Sequence, residues 1–113
     1  MNYNIIVKPS FEREAKRLRK HYASFKDDFA SLIHELEINP FLGVDLGGGV
    51  RKIRMAIASK GKGKSGGARV ITFIGVVSVE EAEVNLLYIY DKAERESIHA
   101  KDIEDLLCKN GLK

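Results

Sequence analysis

The chain has 113 residues, 44% of them apolar and 31% charged, with a formal net charge of +3. This balance suits one small globular domain over residues 1–113 rather than a disordered chain, and a single cysteine, Cys108, excludes an internal disulfide or a thiolate zinc site. No stretch approaches the roughly 20 apolar residues of a membrane span, and the short apolar run of MNYNIIVKPS is no secretory segment, so a soluble, cytoplasmic chain without membrane contact is expected.

Tyr3 to Val7 is rich in β-branched residues and reads as a first strand, which Pro9 stops. Ser10 is a plausible N-cap for a helix carrying Phe11, Ala15, Leu18 and Tyr22 at helical spacing, its other face heavily charged. A second helix runs from about Ser24, with Phe25, Phe29, Leu32, Ile33 and Leu36 on one stripe, and Asn39-Pro40 ends it. The two make a helical hairpin whose apolar face needs a sheet to cover it. Residues 41–49, FLGVDLGGG, read as a flexible connector.

RKIRMAIAS then alternates Ile53, Met55 and Ile57 with Lys52 and Arg54, which places that lysine and arginine on one face of a half-buried strand, roughly 7 Å apart. The loop KGKGKSGG leads into a long strand, ARVITFIGVVSV. A turn near Glu80 and Glu81 precedes a fourth strand, VNLLYIYD. From about Ala93 a final helix presents Ile98, Ile103, Leu106 and Leu107, with Gly111 as its stop. Cys108 is expected to pack on that helix as a small hydrophobe. The order is β-α-α-β-β-β-α. Connectors too short for helices make the last three strands pair antiparallel, so the fold class is α+β, a small antiparallel β-sheet with an N-terminal helical hairpin and a C-terminal helix.

Charge is unevenly placed. Between Leu46 and Val79 lie seven basic residues and no acidic ones: Arg51, Lys52, Arg54, Lys60, Lys62, Lys64 and Arg69. The rest of the chain holds 12 basic against 16 acidic residues. A block without counter-ions sets up a positive field over one surface, and phosphate is its commonest partner. The bland alternative is a solvated basic loop. Gly63-Lys64-Ser65 looks like the end of a phosphate-binding loop, but Ala58 stands where that pattern needs glycine and no helix follows. His21, His34 and His99 lie far apart and read as surface residues, His99 less plainly. No metal-ligand set exists and no cofactor is implied.

What remains is a cationic constellation. Lys52 and Arg54 share a strand face, Arg69 opens the next strand, and Lys92 follows the last one. If those strands are neighbours, the four side chains meet on one surface. An arginine fork can hold two phosphate oxygens, and a lysine crowded by cations loses its proton more easily and can act as a base. A surface that merely grips RNA or an acidic protein fits the same residues.

At these residues, over nearly the whole chain, the sequence resembles the RelE/ParE superfamily of bacterial toxins, most closely its RelE- and HigB-like mRNA interferases. KIRMAIASKGKGKSGGARVIT and LLYIYDKAERESI carry the resemblance most sharply, with FEREAKRLRK and ELEINPFLG beside them. It implies the toxin of a type II toxin–antitoxin system, an endoribonuclease that enters the ribosomal A site and cuts the message by 2′-hydroxyl attack on the adjacent phosphate. Carried over by position, it implies Lys52 as general base, Arg54 and Lys92 near the leaving oxygen, and Arg69 on the developing phosphorane charge. Arg51, Lys60, Lys62, Lys64 and His99 are then expected to contact RNA or the ribosome. Two positions depart from the family: Ile98 occupies the place of an aromatic base-stacking residue, for which His99, Tyr88 or Tyr90 would substitute, and Arg54 replaces a lysine and cannot serve as a base. The resemblance further implies a cognate antitoxin, one with a helix-turn-helix domain through which the complex meets operator DNA, seated on the basic face or the final helix. The alternative reading is a ParE-like inhibitor of DNA gyrase without nuclease activity. A third is a basic RNA-binding module that has lost its activity.

Overall fold

Three helices and a five-stranded mixed sheet make up the chain in the computed structural model, which describes residues 1–113. The elements are β1 (Asn2–Val7), α1 (Pro9–His21), α2 (Phe25–Ile38), β2 (Val44–Gly47), β3 (Val50–Met55), β4 (Ala68–Val76), β5 (Glu81–Asp91) and α3 (Ala100–Lys109), with a 3-10 turn at Ala58–Lys60. The sheet order is β1-β5-β4-β3-β2. The α+β class and the helical hairpin are as the sequence leads one to expect.

The differences have local causes. Residues 44–47, expected as connector, form an edge strand paired antiparallel with β3, Val44 opposite Lys52 and Asp45 opposite Arg51. Gly47, Gly48 and Gly49 all have positive φ, so the run of glycines builds a tight turn that few other residues tolerate. β1 lies parallel to β5, Ile5 beside Val84, which makes the sheet mixed rather than wholly antiparallel. β1 feeds straight into α1, so no hairpin dictates an antiparallel neighbour. Lys8 rather than Ser10 occupies the N-cap, with Pro9 starting the helix. The Ser10 hydroxyl instead donates to the Leu87 carbonyl at 2.5 Å, tying α1 to β5. The final helix starts at Ala100, seven residues later than the pattern suggests, and Cys108 is exposed while its neighbour Leu107 turns inward.

Side-chain alternation divides the core in two. On one face of the sheet, Ile53, Met55, Val70, Val84, Leu86 and Ile89 meet Phe11, Leu18, Phe25, Leu32 and Leu36 of the helical hairpin. On the other, Val50, Ile71, Leu87 and Tyr90 meet Leu107 of α3, with Ile98 and Ile103 at the margin. The α3 layer is smaller than the helical hairpin, and it leaves the end of the sheet formed by Arg54, Arg69 and the β5 terminus for polar chemistry. No helix is long and apolar enough to cross a membrane.

Candidate functional site

Register brings the cations together. Arg54 of β3 stands directly opposite Arg69 of β4, and Arg69 stands opposite Tyr90 of β5, so one row crosses three strands on a single face. The next row is Lys52, Ile71 and Tyr88. Directly opposed side chains have Cβ atoms about 4.5–5.5 Å apart, where like charges repel. Neither arginine has a carboxylate within ion-pairing distance. A pairing of this kind lowers stability and is relieved by an anion.

Arg69 is held by the loop that precedes it. It is 7% exposed, and its Nη1 donates to the Lys64 and Ala68 carbonyls at 3.1 and 3.3 Å while Nη2 donates to the Ser65 carbonyl at 3.1 Å. Nε makes no hydrogen bond to the protein, and with Nη2 it forms the edge of the guanidinium whose bidentate geometry suits two phosphate oxygens. The returning strand of the loop is pinned by Gly67, whose carbonyl accepts from the Lys92 amide at 3.1 Å. A Cβ on Gly67 would come within 2.1 Å of the Met55 carbonyl oxygen, so only glycine lets the loop close on β3 here.

The other expected site residues fall into distinct groups. Lys52 is half-buried and Arg54 exposed, and both line an open cleft of about 230 Å³ with the exposed Lys64 and with Glu35 of α2. Lys62 is exposed in the same loop. Lys92 leaves β5 at the same end of the sheet, and its Nζ donates to the Glu96 carbonyl at 2.7 Å.

Lys60 and Arg51 are placed otherwise than their sequence context suggests. Lys60 is no free loop cation: its Nζ lies 2.5 Å from Asp91 Oδ1, with the two side chains 8% and 2% exposed. Tyr22 donates its hydroxyl to the same carboxylate, as the Ala93 amide does at 2.9 Å. Burial pushes the Asp91 carboxyl up, but the bonds from Lys60, Tyr22 and Ala93 outweigh it and hold the group below the usual carboxylate range. Chiefly because its proton is engaged by Asp91, the Tyr22 phenol is pushed up to about 12. Arg51 lies on the opposite face from Lys52 and Arg54, where it donates to the Leu42 and Gly43 carbonyls at 3.3 and 2.9 Å and clamps the α2–β2 segment to β3. Neighbours on a strand face opposite ways, so its separation from Lys52 follows from the strand itself.

His99 is exposed at the N-cap of α3, its amide donating to Asp102 at 3.3 Å. Ile98 packs inward against the smaller core. Two residues join the group that the sequence did not single out for a charge role. Arg95 is half-buried, its guanidinium 5.8 and 5.9 Å from the Tyr88 and Tyr90 ring centres, and it is fixed by Asp102 at 2.6 Å. Tyr90 is buried beside it with a hydroxyl that makes no hydrogen bond to the protein. Burial raises its pKa, and the Arg69 and Arg95 cations oppose that rise. Arg95 lies in an irregular segment with no periodicity to mark its side, and only tertiary packing reveals it.

The end of the sheet is therefore a cationic surface of Lys52, Arg54, Lys64 and Arg69, bordered by Lys92 and by an arginine stacked on two tyrosines. It suits a phosphodiester with an unstacked base beside it. A family model described as the RelE toxin of the RelE / RelB toxin-antitoxin system matches residues 5–109.

Proposed function

Because the chain belongs to the RelE family of toxins, we propose that it is the toxin of a type II toxin–antitoxin pair and cuts messenger RNA in the ribosomal A site. The observation that carries this reading is the opposed pair Arg54 and Arg69, two cations facing each other across β3 and β4 without a carboxylate between them.

In the proposed reaction a ribose 2′-hydroxyl attacks the adjacent phosphorus, and the 5′-oxygen of the next nucleotide leaves. The products are a 2′,3′-cyclic phosphate and a free 5′-hydroxyl. Lys52 is the candidate base that takes the 2′-hydroxyl proton, since a guanidinium has no acceptor for it. The Nε–Nη2 edge of Arg69 holds the two non-bridging oxygens as negative charge grows on them, the role in which a preorganised donor contributes most. Arg54 binds the leaving 5′-oxygen, and the Lys92 ammonium donates the proton that makes it a hydroxyl. Tyr88 and Arg95, both half-buried beside the covered Tyr90, offer a surface for the base next to the cut. Lys62 and Lys64 grip flanking phosphates, and the exposed His99 is a further candidate contact to the RNA.

The family also supplies a cognate antitoxin as partner. A helix-turn-helix protein bridging the toxin to operator DNA is part of this proposal. A gyrase inhibitor acting by contact alone has no use for two arginines held against each other. Primer extension on messages from cells producing the protein tests the reading. Cuts at fixed codon positions within translated frames, absent with Arg69→Ala, are expected. Intact messages with broken chromosomal DNA would overturn it in favour of gyrase.

A further inference from the structure

Outside the sheet end, α1 carries a second positive surface. Arg13, Lys16, Arg17 and Lys20 recur at i, i+3, i+4 and i+7, on the side of the helix opposite Phe11, Ala15 and Leu18. With His21 they form one wall of an open cleft of about 780 Å³. Its other wall is the segment after β5, including Glu94.

The acids in this cleft are already satisfied. Asp91 is paired with Lys60, and Glu94 with Arg17 at 2.9 Å. Arg13, Lys16 and Lys20 are exposed and have no carboxylate partner. Helix architecture does not explain them. The negative end of the helix dipole favours cations in the last turn, which accounts for Lys20 and His21 but not for Arg13 or Lys16. Like charges three and four residues apart repel, so the stripe persists against its own electrostatics.

We propose that this face of α1 is a second RNA-docking surface, gripping the sugar–phosphate backbone of the RNA around the site of cleavage, with Arg13, Lys16 and Lys20 as the phosphate contacts. Charge complementarity chooses the occupant. Of the nine residues lining the cleft only Tyr22 and Ala93 are apolar, whereas a peptide partner needs buried apolar anchors; phosphate contacts need only cations at regular steps. Neighbours on this stripe are about 5–6 Å apart, comparable with the step between successive phosphates of one strand. The far end of the stripe lies by the end of β5, where Tyr22 meets Asp91 and Arg17 pairs with Glu94, two residues after Lys92, so it extends the positive field of the sheet end along the side of the molecule.

The inference rests on the RNA-cleaving reading for its choice of probe, and the experiment separates the two. The full-length protein and an Arg13→Gln/Lys16→Gln/Lys20→Gln variant are titrated against purified bacterial ribosomes and against isolated 16S ribosomal RNA over a range of KCl concentrations. Single-turnover cleavage is measured on saturated, message-programmed ribosomes. A charge-matched control carries Lys26→Gln, Lys101→Gln and Lys109→Gln on α2 and α3. The stripe variant should flatten the plot of log affinity against log salt by about 2–3 units and bind on the order of 100-fold more weakly at about 0.1 M salt. Its cleavage rate at saturation should match the wild type. An unchanged slope, or a control variant that loses as much, overturns the docking surface, the latter because net charge alone would then explain the binding. A wild-type protein that shows the slope effect on ribosomal RNA yet cuts no message keeps the docking surface and sinks the nuclease reading.

Discussion

Asp91→Asn removes the negative half of the Lys60–Asp91 pair while keeping the shape of the side chain. The two groups are 2.5 Å apart and almost fully covered, so the ammonium of Lys60 is left buried without a counter-ion. Breaking such a pair from one side costs about 3–5 kcal/mol. The asparagine oxygen can still accept from the Ala93 amide, and its amide nitrogen, standing where the other oxygen was, can donate to a Tyr22 hydroxyl turned to accept, which places the expected loss near the lower figure, about 3 kcal/mol. In a domain of this size that lowers the melting temperature by roughly 12 °C. Lys60→Met should cost a similar amount, and the double variant should resemble either single one, with a coupling of about 2–3 kcal/mol. The Asp91 carboxyl titrates below its unfolded value, so the pair stabilises the fold above about pH 4 and loses that contribution as pH falls through the lowered folded value. Thermal unfolding followed by circular dichroism between pH 2 and 8 reads both effects. Additive losses, an Asp91→Asn variant within about 0.5 kcal/mol of wild type, or an unchanged acid limb in that variant would refute the reasoning.

Three further outcomes follow from the site. Arg69→Lys keeps the charge but not the fork, and single-turnover cleavage should drop at least about 100-fold with the fold retained by circular dichroism; a loss below about threefold would show that charge alone is needed. Lys62→Gln with Lys64→Gln should flatten the salt dependence of ribosome binding by about 1.5–2 units, whereas Lys60→Met should leave it unchanged because that ammonium is committed to Asp91. Tyr90→Phe should unfold no more easily than wild type in urea, since the buried hydroxyl has no protein partner to lose. A penalty above about 1 kcal/mol would mean that the hydroxyl makes a bond in solution.

Much of the architecture was legible where local pattern decides it. Ile53 and Met55 alternating with Lys52 and Arg54 gave the strand and its inner face, and the apolar stripes of α1 and α2 gave the helical hairpin. Long-range pairing was not legible. Nothing in Tyr3–Val7 says that its partner is the Val84 strand, or that it lies parallel to it. The four-residue β2 is too short, and too close to three glycines, to stand out from a connector. Helix-favouring residues between Ala93 and Ser97 suggest an early start for α3. In the folded chain Lys92 and Arg95 use their side chains on the Glu96 and Ser97 carbonyls, which holds that segment irregular. The site shows the same division. Lys60, Lys62 and Lys64 are equivalent by spacing, and only the approach of Asp91, thirty-one residues on, takes Lys60 out of the exposed group. Arg51 is the instructive case. Strand alternation already separated it from Lys52, and counting basic residues along the segment hid that.

The contact between Gly67 and the Met55 carbonyl fixes where the basic loop comes home, while Arg69 holds the carbonyls of Lys64 and Ser65. Neither tether reaches the stretch from Gly61 to Gly63, where both glycines sit at positive φ with open space about them. Extra residues inserted there would add little closure entropy, about 0.6 kcal/mol for each doubling of length. The span of this arm is thus a quantity that evolution or an engineer can adjust separately from the rest of the molecule, lengthening its reach across a groove while the guanidinium beneath keeps its aim.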